Sequence, residues 1–451
     1  VTEFVHLHCH SEHSLLDGMS TPEEIAQISS TNGQFAAALT DHGTMAGVLR
    51  FQDACKKHSV RPVFGVEAYF VPSVGGDSDG KHERFHLILL AKNDEGLKKL
   101  FKLSQISWQD NFYYKPRIDF DLLESMVDDD IISLSGCRGS SIAKAIESGD
   151  TGRAEMLADR FTKIFKDDFY FELQAWNPKE INDGLLDLSK AFGKKAVATA
   201  DCHFPTHSDK ACEEVLLLIS QYPSLGAGIT NLAKENAATL HTCGSDLLSK
   251  VNHLYPERNL RFDDIDPYVA DAETVLSWFK KAGYDRPDIL ENTIEVASKC
   301  SAEIRKRRNL LPKYIKSLDS DEYLREITEF RVKELGLGDE YKVRLEEELG
   351  IIKQLGFADY FLIVWDLISW ADANNVGRGT GRGSVGGSLM AYLLNISKVD
   401  PIKYNLLFAR FINPERNDYP DIDLDFEDKR RNEVKEYLRN RWGRDHVAAI
   451  T

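Results

Sequence analysis

The sequence predicts an α/β fold: a closed or nearly closed seven-stranded β/α barrel, followed by a smaller α+β region. Three observations lead there. Seven short apolar, strand-like runs occur before residue 205, helix-like stretches lie between most of them, and four of the seven finish on or just before His, Asp or Cys. Strands alternating with helices favour parallel pairing, and seven such units suggest a closed or nearly closed barrel. In such barrels chemistry sits at the carboxyl ends of the strands.

The runs are Phe4 to His8, Phe35 to Thr40, Pro62 to Phe70, Phe85 to Ala91, Asp130 to Ser135, Phe169 to Leu173 and Lys195 to Thr199. Helices are expected over Thr21 to Thr31, which opens Thr-Pro-Glu-Glu, and over Gly47 to His58, Asp94 to Gln109 and Gly152 to Phe165. From 206 to 285 the pattern is broken by Pro223, Gly226, Gly228, Pro256 and Pro267 before a short helix over Asp271 to Ala282, so this stretch reads as decoration and connection. A first domain is expected over 1–285 and a second over 286–451. The basic run Arg305 to Arg308 reads as a solvated helix end rather than a nucleic-acid contact. Two amphipathic helices follow between Asp339 and Asn375, the second, Tyr360 to Ala373, rich in aromatic and aliphatic residues that are core by default.

Composition narrows the class. An apolar content of 42% supports a sizeable core, and no run approaches the roughly 18 apolar residues of a membrane span. The start VTEFVHLHCH lacks a signal-peptide pattern, so a cytoplasmic location and no membrane partner are expected. Seven cysteines are odd in number, scattered and without a CxxC pair, which argues against a disulfide framework or a zinc ribbon. The net charge of −16 counts against nucleic-acid binding by the chain as a whole, yet carboxylates that hold cations inflate the acidic count and a binding face can be basic locally.

Eight of the thirteen histidines precede residue 87, which points to a multinuclear metal site in the N-terminal half. Period-two alternation puts Phe4, His6, His8 and His10 on one strand face, so two imidazoles can grip one ion. An HxH alone is weak evidence. It gains weight with Asp17, Asp41-His42, Glu67, His86, Cys137 and Asp201-x-His203, because so many buried donors without an ion would leave polar groups uncompensated.

The stretches HLHCHSEHSLLDG, LTDHG, GVEAY, FHLILLAKN, LSGC and TADCH, in this order, resemble the motifs of the polymerase and histidinol phosphatase (PHP) domain, in detail that of bacterial DNA polymerase III alpha subunits. The resemblance implies a trinuclear phosphoesterase barrel with metal ligands at His8, His10, Asp17, His42, Glu67, His86, Cys137, Asp201 and His203. It implies Glu67 as a bridge between two ions, with His8, His10 and Asp201 on one, His86 and Cys137 on the second, and Asp17, His42 and His203 on the third. Such ions would acidify a shared water and neutralise phosphate charge. Cys137 favours zinc, while the carboxylates also accept manganese. His6 and His13 lie outside the implied set and read as structural.

The run Gly377 to Leu394, with GRGSVGGS at its centre, is a glycine-rich loop leading into a helix, so backbone N–H groups and the helix N-terminus can face phosphate oxygens. Dinucleotide and Walker A readings fail on context, since a helix precedes and GK[ST] is absent. Then comes PDIDLDF: as a strand it sets Asp421, Asp423 and Asp425 on one face and Ile422, Leu424 and Phe426 on the other. Adjacent like charges are costly unless a cation holds them. A phosphate cradle followed by paired carboxylates describes a site for a nucleoside triphosphate and magnesium.

These stretches, with RLEEELGIIKQLGFADYFLIVWDLI and DPIKYNLLFARFINPER, resemble the start of the palm of the same alpha subunits. The resemblance implies Asp421 and Asp423 as catalytic metal carriers, Gly383 and Ser384 lining a triphosphate pocket, and Arg382 and Arg410 on its phosphates. It also implies a third palm carboxylate well downstream. The opening Val1 and the apolar end Val447 to Thr451 read as the edges of a fragment, and primer extension by this chain alone is not expected. The expected function is that of the N-terminal portion of a replicative DNA polymerase, with the barrel a 3′ to 5′ proofreading exonuclease. Primer-template DNA and dNTP are the expected partners, with a sliding clamp and other replisome subunits engaged through regions outside this chain. Two rivals are a phosphatase of small phosphomonoesters and a non-catalytic, metal-stabilised scaffold.

Overall fold

A computed structural model describes residues 3–74, 83–221, 261–262, 265–305, 312–414 and 419–447, together with the isolated positions 248 and 257. They belong to two compact units, Val1–Arg305 and Lys306–Thr451. The first unit runs past residue 285 because the helix Pro287–Lys299 is stitched into the barrel. Val5 donates its backbone N–H to Thr293 Oγ1 at 3.0 Å, Asn292 donates to the Ala196 carbonyl at 2.8 Å, and Val296, Ala297 and Cys300 join the buried cluster of Val5 and Leu7.

The strands of this unit are β1 (Ala36–Leu39), β2 (Arg61–Phe70), β3 (Phe85–Ala91), β4 (Phe112–Tyr113), β5 (Lys115–Ile118), β6 (Ile131–Leu134), β7 (Phe169–Gln174) and β8 (Ala196–Thr199). They pair in the order β4-β5-β2-β3-β6-β7-β8, with β1 also on β2. The extended segment from Phe4 to His10 closes the ring. Ala38 and Thr40 donate to the carbonyls of His6 and Cys9 on one side, both at 2.8 Å; on the other, Cys202 donates to His8 O at 3.0 Å and His10 donates to Cys202 O at 2.7 Å. That segment, expected as a regular strand, makes only the isolated parallel bridge Cys9↔Cys202.

Pairing is mixed rather than all parallel, since β3 runs antiparallel to both β2 and β6. No helix-like sequence separates Phe70 from Phe85, and without a crossover helix the chain returns antiparallel. The small β4–β5 hairpin was not anticipated; its two-residue first strand is exposed and carries no periodic signal. Inside the ring sit Val63, Ile88, Leu90, Ile132, Leu134, Tyr170 and Val197, while a larger apolar layer joins the sheet to the helices.

The expected helices form where their caps lie. Thr21 and Glu24 make a reciprocal capping box at the start of Pro22–Thr31. Asn93 accepts from the N–H groups of Glu95 and Gly96 at the head of Asp94–Gln109, whose Leu97, Leu100 and Leu103 form its buried face. Gly96 lets this helix touch down on the chain before β6: a Cβ there would lie 2.1 Å from the Asp130 carbonyl oxygen.

In the second unit, helices Ser320–Glu334, Asp339–Leu355 and Ala358–Ala373 enclose a core that includes Leu324, Leu345, Ile352, Phe361 and Leu389. The break between the second and third falls at Gly356, whose φ of +71° ends the helix in a left-handed cap. The predicted strand Pro420 to Phe426 is not a regular strand and makes the isolated antiparallel bridges Arg378↔Phe426 and Arg382↔Asp423. Of the basic run, Arg305 pairs with Asp94 at 3.3 Å and Glu303 at 3.4 Å, and the next three residues lie outside the described ones, as do Pro223, Gly226, Gly228 and Pro256. Among the described residues no helix is long and apolar enough to cross a membrane.

Candidate metal centre and acidic loop

All nine side chains singled out in the barrel gather at one rim. His8 Nε2 stands 3.0 Å from His10 Nε2, 3.0 Å from Asp201 Oδ1 and 3.3 Å from Glu67 Oε1. His10 Nε2 is 3.1 Å from the same Asp201 oxygen. On the other side of Glu67, His86 Nδ1 is 3.0 Å from Oε1 and His42 Nδ1 is 2.5 Å from Oε2, while Cys137 Sγ lies 3.6 Å from Oε1 and 3.4 Å from His86 Nδ1. Asp17 Oδ2 meets His42 Nε2 at 2.6 Å, and His203 packs its ring on His10, centroids 4.5 Å apart.

At the rim, the donor triads with atoms mutually within 4.8 Å are His8–His10–Asp201, His42–Glu67–His86 and His10–His42–His203; a fourth, His6–Cys9–Cys202, lies away from it. The first is the grouping the resemblance implied. The second joins His42 of the implied third group to His86 of the second through Glu67, and the third brings His10 of the first group to His42 and His203.

Supporting residues fix the tautomers. Glu172 Oε1 lies 2.7 Å from His8 Nδ1 and also accepts from Thr199 Oγ1 at 2.6 Å and Gln174 Nε2 at 3.2 Å. A proton on His8 Nδ1 therefore points at Glu172 and leaves Nε2 for the rim. Ser14 donates its hydroxyl to Asp41 at 2.8 Å and so receives Nδ1–H of His10 at 3.1 Å, which leaves His10 Nε2 bare as well. Asp41, suspected as a ligand beside His42, instead accepts from Ser11 and Ser14 and orders the first loop. Glu172 was missed, although a lone acid inside the apolar run Phe169 to Leu173 was its available signal.

Bare imidazole nitrogens and carboxylate oxygens crowded this closely demand positive charge. Burial alone would push His8 down, but Asp201, Glu172 and Glu67 hold it well above its ordinary range. His10, buried beside His42 and His203, falls to about 3. His42 rises to about 10 because Glu67 and Asp17 outweigh its burial, and Asp17 correspondingly falls to about 2 despite its own burial. Cys137 is pushed well up by burial and by Glu67. His42 Nδ1 and Glu67 Oε2, although close, have no aligned hydrogen-bond partner and are buried. Orphaned donors and acceptors facing a common point, with imidazole, thiolate and carboxylate chemistry, fit divalent cations.

His6 does not share the face of His8 and His10. Leu7 lies inside the ring and His8 is aimed at the interior Glu172, so the alternation slips between them. His6 turns outward, donates Nε2–H to the Ala270 carbonyl at 2.8 Å and accepts from the Cys202 thiol at 3.3 Å. Burial lowers it to about 4, so it is a satisfied, neutral core histidine.

The second unit brings the glycine loop and the acidic run together. Arg382 pairs across to Asp423 through the backbone, and its Nε reaches Asp425 Oδ2 at 3.1 Å. Gly383 has φ +79°, and a Cβ there would be 3.6 Å from Asp423 Oδ2, so loop and carboxylates meet at the backbone. Ile422, Leu424 and Phe426 pack inward. Ser384 is exposed in the turn Gly383–Gly387, and Arg410 is exposed with no ion pair to the acids.

The helix N-terminus expected to face phosphate is already filled. Glu348, fully buried, accepts from the N–H groups of Leu389 and Met390 and from Ser388 Oγ, each at 2.9 Å, and pairs with Arg344 at 2.7 Å. A buried carboxylate there repels a second anion, so only the loop amides before it are left for a phosphate.

The PHP domain family matches residues 6–175, and the bacterial DNA polymerase III alpha NTPase domain matches residues 320–451. Along nearly its whole length the chain is similar to bacterial DNA polymerase III alpha subunits. DNA polymerase III subunit alpha of Aquifex aeolicus is 37% identical over 99% of this chain, that of Borreliella burgdorferi 36% over 100%, and that of Treponema pallidum 34% over 99%. The chain spans 36–38% of the length of these relatives.

Proposed function

We propose that this chain is the PHP and early palm portion of a replicative DNA polymerase, and that its barrel is a metal-dependent 3′ to 5′ exonuclease on DNA. The carrying observation is that nine donor side chains from seven separate segments of the barrel converge on one rim with shared contacts. His8, His10, Asp17, His42, Glu67, His86, Cys137, Asp201 and His203 would hold three divalent ions, zinc or manganese, with Glu67 bridging. Bound there, such ions supply an acidified water and charge neutralisation at a phosphodiester. The protein's own part is to aim bare nitrogens inward, through Glu172 behind His8 and Ser14 behind His10, and to keep them dry.

In the second unit, Asp421 and Asp423 would carry magnesium, with Arg382, Gly383 and Ser384 toward the triphosphate of a dNTP. Arg410 would join them only when nucleotide draws it in.

An end-labelled single strand incubated with manganese or zinc is expected to shorten from its 3′ end, to stop with chelator, and to persist with His8→Ala or Asp201→Asn. Cleavage that survives both substitutions defeats the nuclease reading. Turnover of a small phosphomonoester in place of DNA would favour a phosphatase, and a melting point lowered by chelation without any hydrolysis would favour a scaffold.

A further inference from the structure

We propose that a cavity beside the metal rim seats the terminal nucleoside of a DNA strand, with the indole of Trp176 stacking on its base. The inference rests on the nuclease reading for the chemistry, but not for the binding. The cavity has a volume of about 390 Å3 and is lined by Cys137 and Asp201 on the rim side and by Arg138, Trp176, Asn177 and Arg261 away from it. This size falls within the roughly 300–1,000 Å3 of small-molecule sites. It therefore has room for more than a phosphate at the rim.

Its walls suit a nucleoside. Trp176 is half-buried, and its contact with Trp278 is tilted, centroids 5.8 Å apart and planes at 59°, so that ring does not cover an indole face by stacking. A tryptophan face is the usual platform for an unpaired base, and stacking tolerates any of the four. Asn177 donates Nδ2–H to Asn182 at 3.1 Å, and Asn182 donates to the Gln174 carbonyl at 2.8 Å, which fixes the amide and leaves Asn177 Oδ1 buried without a partner. That oxygen can accept from a sugar hydroxyl or a base amino group. Two guanidinium groups line the cavity in a chain of net charge −16, with Arg138 held by Glu147 at 2.9 Å through its Nε. These guanidinium groups, opposite the acidic rim, are cationic side chains that a phosphate of the strand can meet. A small phosphomonoester would use the rim and leave the indole and the amide idle.

The test compares two 5′-labelled oligonucleotides with a hydrolysis-resistant phosphorothioate at the last linkage, one ending in a normal 3′ nucleotide and one in a 3′ abasic residue. Binding to the 451-residue chain loaded with manganese is read by fluorescence anisotropy. The wild type is expected to prefer the base-bearing end by about tenfold. Trp176→Leu should lose that preference and Trp176→Phe should keep most of it, each with a melting point near the wild type's. No preference in the wild type, or a preference that survives Trp176→Leu, overturns the proposal; should Trp176→Leu not fold, a wild-type preference abolished by Asn177→Asp while Trp176→Phe retains it supports the site. A preference in binding without hydrolysis of ordinary DNA supports this site while refuting the nuclease reading.

Discussion

At the residue scale, the metal centre is a problem of charge. Without cations the rim is neutralised by protons on His8 and His42, and the same nitrogens are the ligands a metal needs. Metal binding at pH 7.5 is therefore expected to release protons, seen as a calorimetric heat that depends on the ionisation enthalpy of the buffer; no dependence would contradict it. The metal-free protein should show the matching stability profile. His42 is raised from 6.5 to about 10, so its contribution is full below pH 6.5 and is lost as pH climbs through 10. Asp17 is lowered from 3.8 to about 2, so its share is present above pH 3.8 and is lost as pH falls through 2. The melting point of chelated protein should decline between pH 6.5 and 10, and His42→Gln should flatten that decline. Glu172 acts through His8. Glu172→Gln can offer an amide N–H to His8 and turn the wrong nitrogen to the rim, so metal affinity should fall about 10- to 100-fold in chelator competition with little change in fold.

At the element scale, the short helix Leu389–Leu393 stands on Glu348. Its first N–H groups, Ser388 and Arg344 all bond to that carboxylate, which burial pushes up and these donors pull back down. Glu348→Ala would strand several buried donors at once and should cost about 3–5 kcal/mol in urea unfolding of the second unit. A loss under 1 kcal/mol would mean water replaces the carboxylate. Ser388→Ala removes only the side-chain cap on Ala391 and one donor to Glu348, and should cost about 1 kcal/mol. The sequence showed the glycine loop and the helix start but not the acid beneath them, because Glu348 lies some forty residues earlier on another helix.

At the scale of the whole molecule, each compact unit has its own apolar core and its own chemistry. With neither magnesium nor nucleotide added, chelation should therefore lower the melting transition of the barrel by at least about 5 °C and leave that of the second unit in place, since a ligand stabilises only the unit that binds it. A scanning calorimeter showing both transitions moving together would tell against this.

Six of the seven strand runs and the main barrel helices were legible, because each carries its own periodicity and cap: Thr21 with Glu24, Asn93 before Gly96. The nine rim residues were legible too, through motifs at strand ends. What the sequence could not display was direction and phase. The antiparallel turn of β3, the slip between Leu7 and His8 that sends His6 outward, and the placing of Glu172 behind His8 all follow from pairings made across the ring. Local propensity fixes which segments extend or coil and which donors ride on them. Which nitrogen is bare, which acid is orphaned and which helix end is already filled depend on contacts between residues thirty to two hundred positions apart, and only closure of the barrel and packing of the second core decide those.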